Sequence, residues 1–130
     1  MGKVPDAVIL LGHGSRVASA NAPLVEAASM VLKRLPGTRV SPAFLQLAEP
    51  SLAEAVALLD EGKKIVVAIV PFFLYPGAHV TDDIPAEVER LRALHPAITL
   101  RLTGHMGIHP LMADIVVYLI NETMAAKEKK

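Results

Sequence analysis

The sequence predicts an α/β fold, one doubly wound lobe built on a four-stranded parallel sheet with helices on both faces. Three observations carry this. Apolar residues alternate between continuous β-branched runs and helical stripes along the chain. The connections between these segments are short, and strand–helix alternation with short connections implies a parallel sheet. The chain has 130 residues, a length for one domain and hardly for two, so a single domain is expected over residues 1–130.

The run Ala7 to Leu11 is continuous and apolar and ends in glycines, as a parallel strand buried on both faces reads. Residues 21–35 then place Leu24, Val25, Ala28, Val31, Leu32 and Leu35 on one helical stripe, terminated by Pro36-Gly37. Thr38 to Gln46 reads as the second strand. Pro50 opens a second helix at a first-turn position, with Leu52, Val56 and Leu59 on its apolar face and Gly62 at its end. Lys64 to Leu74 is the most apolar strand and belongs at the centre of the sheet. Residues 75–82 read as a loop. Ile84, Val88, Leu91 and His95 fit a third helix, stopped by Pro96. Ile98 to Thr103 is the fourth strand. Pro110 starts a last helix running to about Met124, and Ala125 to Lys130 reads as a frayed, solvated tail. The last helix is apolar over more than the stripe of about 100° that packing on one sheet needs. It is either deeply buried or part of a subunit interface.

Composition excludes several classes. With 52% hydrophobic and 20% charged residues the chain is not intrinsically disordered. It has no cysteine, which removes disulfide scaffolds, thiolate zinc sites, iron–sulfur clusters and a cysteine nucleophile. Its 13 basic residues balance its 13 acidic ones, which argues against a nucleic-acid binder. The first apolar run is too short for a signal peptide and is broken by Gly12-His13-Gly14. The stretch Ile65 to Pro76 contains two prolines and falls short of a membrane span. The expectation is a cytoplasmic protein without membrane or nucleic-acid partners.

In open parallel sheets ligands bind outside the carboxyl ends of the strands. Four of the five histidines, His13, His79, His105 and His109, fall in the loops at that edge. His13, between two glycines, is a candidate metal ligand or general base, or else bonds its own loop. His79 follows a Pro-Gly turn and offers the same chemistry. His105 and His109 divide between ligand contacts and simply holding their loop. Glu49 suits either the positive end of the following helix or a role as third metal ligand or proton acceptor. Arg16 either pairs a ligand carboxylate or is a solvated surface charge. Asp82 and Asp83 read as caps of the third helix, and His95 as a solvated residue complementing a helix dipole. Two imidazoles and a carboxylate suit Co, Ni, Fe or Zn. The first loop lacks the spacing of a nucleophile elbow, a P-loop or a dinucleotide fingerprint. It also lacks the Arg directly before His-Gly that a histidine phosphatase would carry.

Several segments together resemble the class II tetrapyrrole chelatases, specifically the short CbiX-type sirohydrochlorin cobaltochelatases. They are Leu11-Gly-His-Gly-Ser-Arg16, Phe44-Leu-Gln-Leu-Ala-Glu-Pro-Ser-Leu52, Val70-Pro-Phe-Phe-Leu74 running into Gly77-Ala-His-Val80, Asp83-Ile-Pro85 and Gly107-Ile-His-Pro110. Met106 departs from the family's usual Leu before Gly107, a volume-conserving swap. The resemblance spans nearly the whole chain. It implies that His13 and His79 bind the metal, that Glu49 or a histidine accepts pyrrole protons, and that Ser15, Arg16, His105 and His109 contact the macrocycle. It implies insertion of a divalent metal as substrate, Co²⁺ first with Ni²⁺ and Fe²⁺ as alternatives, into sirohydrochlorin without a nucleotide. Longer members carry two lobes around a cleft, so a one-lobe chain implies a homodimer. The rivals are a non-catalytic metal-binding or tetrapyrrole-carrier module with the same histidines, and a plain interaction domain in which they are structural.

Overall fold

The computed structural model describes residues 4–75 and 77–126, and the backbone alone at residues 78–80. Its elements run β1 (Ala7–Gly12), α1 (Ala18–Arg34), β2 (Arg39–Phe44), α2 (Leu52–Leu59), β3 (Ile65–Pro71), α3 (Ala78–Leu94), β4 (Ile98–Leu102) and α4 (Pro110–Ala125). The four strands form one sheet in the order β2-β1-β3-β4, every neighbouring pair parallel. The predicted fold class holds. The strand order reverses at β1 and β3, so the carboxyl ends of these two strands flank the crevice where ligands of doubly wound sheets sit.

Strand alternation splits the core in two. Ala7, Ile9 and Leu11 of β1, Val67 and Ile69 of β3, and Ile98 and Leu100 of β4 pack on one face against α2 and α3. Val8 and Leu10 of β1 and Phe44 of β2 point to the other face, where Leu24 and Ala28 of α1 cover them. Every residue of β1 is buried, as the unbroken apolar run requires. Strand β3 is interior too, but its alternate residues are buried on one face only.

Helix boundaries differ from the expectation where proline sits inside a helix. α1 begins at Ala18 rather than 21 and contains Pro23. α3 begins at Ala78, takes in most of the expected loop, and contains Pro85. A proline removes one backbone donor. The rest of the α3 turn is still tied down, because the Thr81 amide and hydroxyl both donate to the Gly77 carbonyl at 3.1 Å. Asp82 and Asp83 therefore lie within the helix and cap nothing, since Gly77 occupies the N-cap position. α2 starts at Leu52, so Pro50 lies just outside it: Ser51 is its N-cap, in a reciprocal capping box with Glu54 that the S-x-x-E spacing announces. It ends at Leu59, ahead of Gly62.

His95 is not the solvated residue expected. Its Nδ1 lies 2.6 Å from Asp60 Oδ2, with 16% and 27% of the two side chains exposed, and the pair ties the end of α3 to the end of α2. The His95 hydrogen bond, with a second from the Gly62 amide, holds the Asp60 carboxyl below its usual range.

The last helix also corrects one of its two expected placements. α4 has no buried residue. Among the described residues it makes no substantial packing contact with any other element. The deeply buried alternative is excluded. The helix runs through Ala125, and residues 127–130 of the expected tail lie outside the described residues. No helix among the described residues is long and apolar enough to cross a membrane.

Candidate functional site

The site begins where β1 ends. Past Gly12 the chain turns through His13 and Gly14, and β2 follows it: the Leu45 amide donates to the Gly12 carbonyl at 2.9 Å and the Gln46 amide to the His13 carbonyl at 3.1 Å. Gly14 takes φ +91°, and a Cβ there would lie 1.8 Å from the Gln46 carbonyl oxygen. Only glycine fits, because both the left-handed backbone and the contact with β2 exclude a side chain. This close approach holds the His13 backbone at the sheet edge.

The loop then anchors on α1. The Ser15 amide donates to Asn21 Oδ1 at 2.9 Å, and Asn21 Nδ2 donates back to the Ser15 carbonyl at 2.8 Å. The Ser15 hydroxyl accepts from the Val17 amide at 3.1 Å. Ser15 thus serves its own turn, and Arg16 beside it is exposed.

The exposed His13 ring lies against Phe73, with centroids 4.3 Å apart and planes tilted by 37°. Phe73 follows β3 and is itself buried, so the contact joins the two strand ends that flank the crevice. A cavity of about 740 Å³ opens beside His13, lined also by Phe44, Gln46, Ser51, Asp83, Glu87 and Arg90. Its α3 wall carries both signs of charge. Arg90 donates to Glu87 in a bidentate pair, 2.8 Å to each oxygen. That pair holds the Glu87 carboxyl below its usual range and raises the Arg90 guanidinium. Glu87 therefore stays ionised beside Asp83.

The other expected residues spread along the same edge. His105 follows β4 and lines a second groove of about 250 Å³ with Phe73, Thr81, Pro85 and Thr103. Phe73 thus stands between His13 and His105. His109 caps α4, its Nδ1 accepting from the Leu111 amide at 3.1 Å. Glu49 is exposed and shares a groove with Ser15 and Arg16 on the α1 side, away from the lining of the His13 cavity. The His79 backbone sits in the first turn of α3, at the carboxyl end of β3, and its side chain lies outside the described residues. Among the described residues no group of three or more His, Asp or Glu side chains stands close enough together to hold a metal ion.

Sequence reasoning missed Phe73, Gln46 and the Asn21 clamp. Asn21 is the fourth residue of α1, from where its side chain reaches back to the Ser15 backbone ahead of the helix, the kind of local bond to backbone that Asn favours. Phe73 carries no local signal, since its meeting with His13 depends on β1 and β3 being neighbours.

The model of the family described as CbiX matches residues 7–123. The chain belongs to the CbiX family. Among its relatives is the chloroplastic sirohydrochlorin ferrochelatase of Arabidopsis thaliana, 37% identical over 112 residues, covering 85% of this chain and 49% of that protein. The sirohydrochlorin cobaltochelatase of Methanococcoides burtonii is 29% identical over 126 residues, covering 90% of this chain and 95% of that one. The crystal structure of a CbiX protein from Marinobacter aquaeolei VT8 superposes with a TM-score of 0.77 at 30% identity, covering 92% of this chain and 98% of that one. The chain spans about half the length of the first curated relatives it matches. CbiX membership accounts for the parallel sheet with its four helices.

Proposed function

We propose that this chain inserts a divalent metal, Co²⁺ first, into sirohydrochlorin, acting as a homodimer and without a nucleotide. The observation that carries the reading is His13 on its glycine turn, set against Phe73 at the mouth of a large open cavity. The names of the relatives support the substrate class, and they include both iron and cobalt enzymes. Relatives twice as long as this chain support a working unit of two lobes.

In this reading His13 and His79 hold the incoming metal through neutral ring nitrogens. Phe73 fixes the plane of His13, so the imidazole meets the metal with little rotamer freedom left to lose. Asp83 on the cavity wall favours a dication, while the charge of Glu87 is matched by its Arg90 partner. The macrocycle's carboxylates meet Arg16, Ser15 and the edge histidines His105 and His109. The metal exchanges protein ligands for the pyrrole nitrogens, two of which release protons, so the charge entering as M²⁺ leaves as 2 H⁺. A histidine at the edge or Glu49 accepts those protons. A protonated imidazole has no free ring nitrogen for a metal, so the rate falls below about pH 6.

Metal-free protein mixed anaerobically with sirohydrochlorin and then Co²⁺, Ni²⁺ or Fe²⁺ tests this by the change in macrocycle absorbance. Acceleration over the protein-free rate, lost in His13→Ala and in His79→Ala, is the expected result, and the three rates rank the metals. Macrocycle or metal binding without acceleration overturns the chelatase in favour of a carrier module. A rate that stays flat down to pH 5 overturns the role of the histidines.

A further inference from the structure

Two arginines of α3 stand in the same local pattern and are used differently. Arg90 follows Glu87 by three residues, as Arg92 follows Glu89, and each pairs with the glutamate before it. Arg92 turns its remaining donors onto the fold. Its Nη1 donates to Glu89 at 2.7 Å, and its Nε and Nη2 donate to the Leu100 carbonyl at 3.3 and 2.9 Å. Arg92 thus ties α3 to β4. Arg90 bonds only to Glu87 among the described residues.

The faces of α3 separate these roles. Ile84, Val88 and Leu91 are buried in the core. Asp83, Ala86, Glu87 and Arg90 follow the i, i+3, i+4, i+7 spacing of one helical face, and they line the cavity that opens beside His13. The rise of about 1.5 Å per residue puts Arg90 about 10 Å along the axis from Asp83. The cavity therefore has an anionic end, one turn from His79, and a cationic end beyond it. Arg90 is the only cation among the residues lining it. Ser51, Leu52 and Ala53 bring the first turn of α2 to the same cavity, and the positive end of a helix favours an anion there.

Glu87 orients Arg90 and leaves half of it free. A guanidinium carries five N–H donors in a rigid fork. Nε and Nη2 each donate to Glu87 at 2.8 Å, which fills one edge and fixes the plane. The edge formed by Nη1 and Nη2 stays open, and its geometry matches a second carboxylate. The fold makes little use of the pair. The two side chains are 54% and 34% exposed, and an exposed ion pair adds little to stability. His13 also lies between two cations. Arg16 lines the groove on the α1 side and Arg90 the cavity on the α2–α3 side, with Phe44 bordering both. A flat macrocycle with carboxylates around its rim is held in register by cations on more than one side.

We propose that Arg90 anchors a rim carboxylate of the tetrapyrrole on its free Nη1–Nη2 edge, inside the His13 cavity. This rests on the tetrapyrrole reading above and deepens it, because the site then selects macrocycles that carry a carboxylate on the α3 side as well as on the α1 side. Arg90 takes no part in proton transfer, since a guanidinium stays protonated. It holds the rim while the chemistry proceeds at the centre, so its contribution is equal before and during insertion. Such a contribution is read in KM and not in kcat.

Titrating metal-free protein with sirohydrochlorin under anaerobic conditions, followed by macrocycle absorbance, gives a Kd that needs no insertion. Co²⁺ insertion in the same preparations gives KM and kcat. Arg90→Gln is expected to raise both Kd and KM about tenfold, the scale of one charge-assisted hydrogen bond, with kcat within about twofold and the melting temperature retained. Arg90→Lys keeps the charge without the fork and is expected to recover part of the affinity. Arg92→Gln is the structural comparator, expected to lower the melting temperature and leave Kd unchanged. A wild-type Kd in Arg90→Gln, or an equal weakening by Arg92→Gln, overturns the anchor, and insertion that persists there leaves the chelatase standing. Weaker macrocycle binding in Arg90→Gln alone, with no insertion by any of the proteins, supports the anchor and overturns the chelatase. A wild type that binds no macrocycle overturns both.

Discussion

β1 and α4 are both apolar, and the fold treats them in opposite ways. All six residues of β1 are buried, whereas none of the sixteen in α4 is. β1 has cover on both faces, from α2 and α3 on one side and α1 on the other. α4 has none from its own chain. The difference teaches that apolar content states a need for cover without naming where the cover comes from. For β1 the source is internal and its burial supports the lobe. For α4 the described part of the lobe supplies none, so the lobe's core is built without it.

The comparison breaks most readily by truncation. Ile9→Ala, at a side chain with 0% exposure, is expected to lower the unfolding free energy by about 2–5 kcal/mol. Val116→Ala is expected to leave the lobe's intrinsic stability within about 0.5 kcal/mol. Urea unfolding checks both, with the α4 variant compared against wild type at concentrations where both are monomeric. Equal losses there would mean that α4 supports its own lobe after all.

The glycine turn sharpens the same comparison at the site. Gly14→Ala places a Cβ against the Gln46 carbonyl in a left-handed backbone, at a cost of about 1–3 kcal/mol. Its expected signature is a coupled loss, in which stability and metal affinity fall together because the turn that carries His13 moves. Phe73→Leu separates the two. It keeps an apolar side chain but removes the ring face under His13, and calorimetric Co²⁺ titration is expected to show about tenfold weaker binding, the scale of an orienting partner, with the fold retained.

The smallest effect is on pH dependence. Hydrogen bonds from His95 and Gly62 hold the Asp60 carboxyl below its usual 3.8 in the folded chain. A carboxyl with a lowered folded value contributes stability that is fully present above its unfolded value and is lost as the pH falls through the folded one. Thermal melts between pH 5 and pH 2 are expected to fall more steeply for wild type below about pH 4 than for Asp60→Asn, whose melting temperature is lower at neutral pH. Parallel curves would remove Asp60 from the acid limb.

How much of this was legible depends on whether the signal is local. The run Ala7 to Leu11 announced a doubly covered strand, and four strands in parallel followed from the short alternating segments. His13 was placed at the carboxyl edge of the sheet by the apolar run that ends just before it and by its flanking glycines. The α3 boundary was hidden because Pro85 and the Asp82-Asp83 pair mimic a helix start, while Gly77, with no side chain to signal it, takes the cap position. His95 against Asp60 and Phe73 against His13 were illegible because each joins residues far apart in sequence, brought together by packing. The breadth of the α4 apolar surface was legible in the sequence, but setting aside a deeply buried helix required seeing that none of its residues is buried.

The most direct test of the proposed homodimeric chelatase measures mass and rate in the same samples. Co²⁺ insertion into sirohydrochlorin, per chain, is compared for wild type and Val116→Asp, with light scattering alongside. The account predicts that the variant runs at 13.9 kDa with its lobe folded and loses insertion, while wild type runs at twice that mass and is active. A folded monomer inserting metal at the wild-type rate per chain would contradict it.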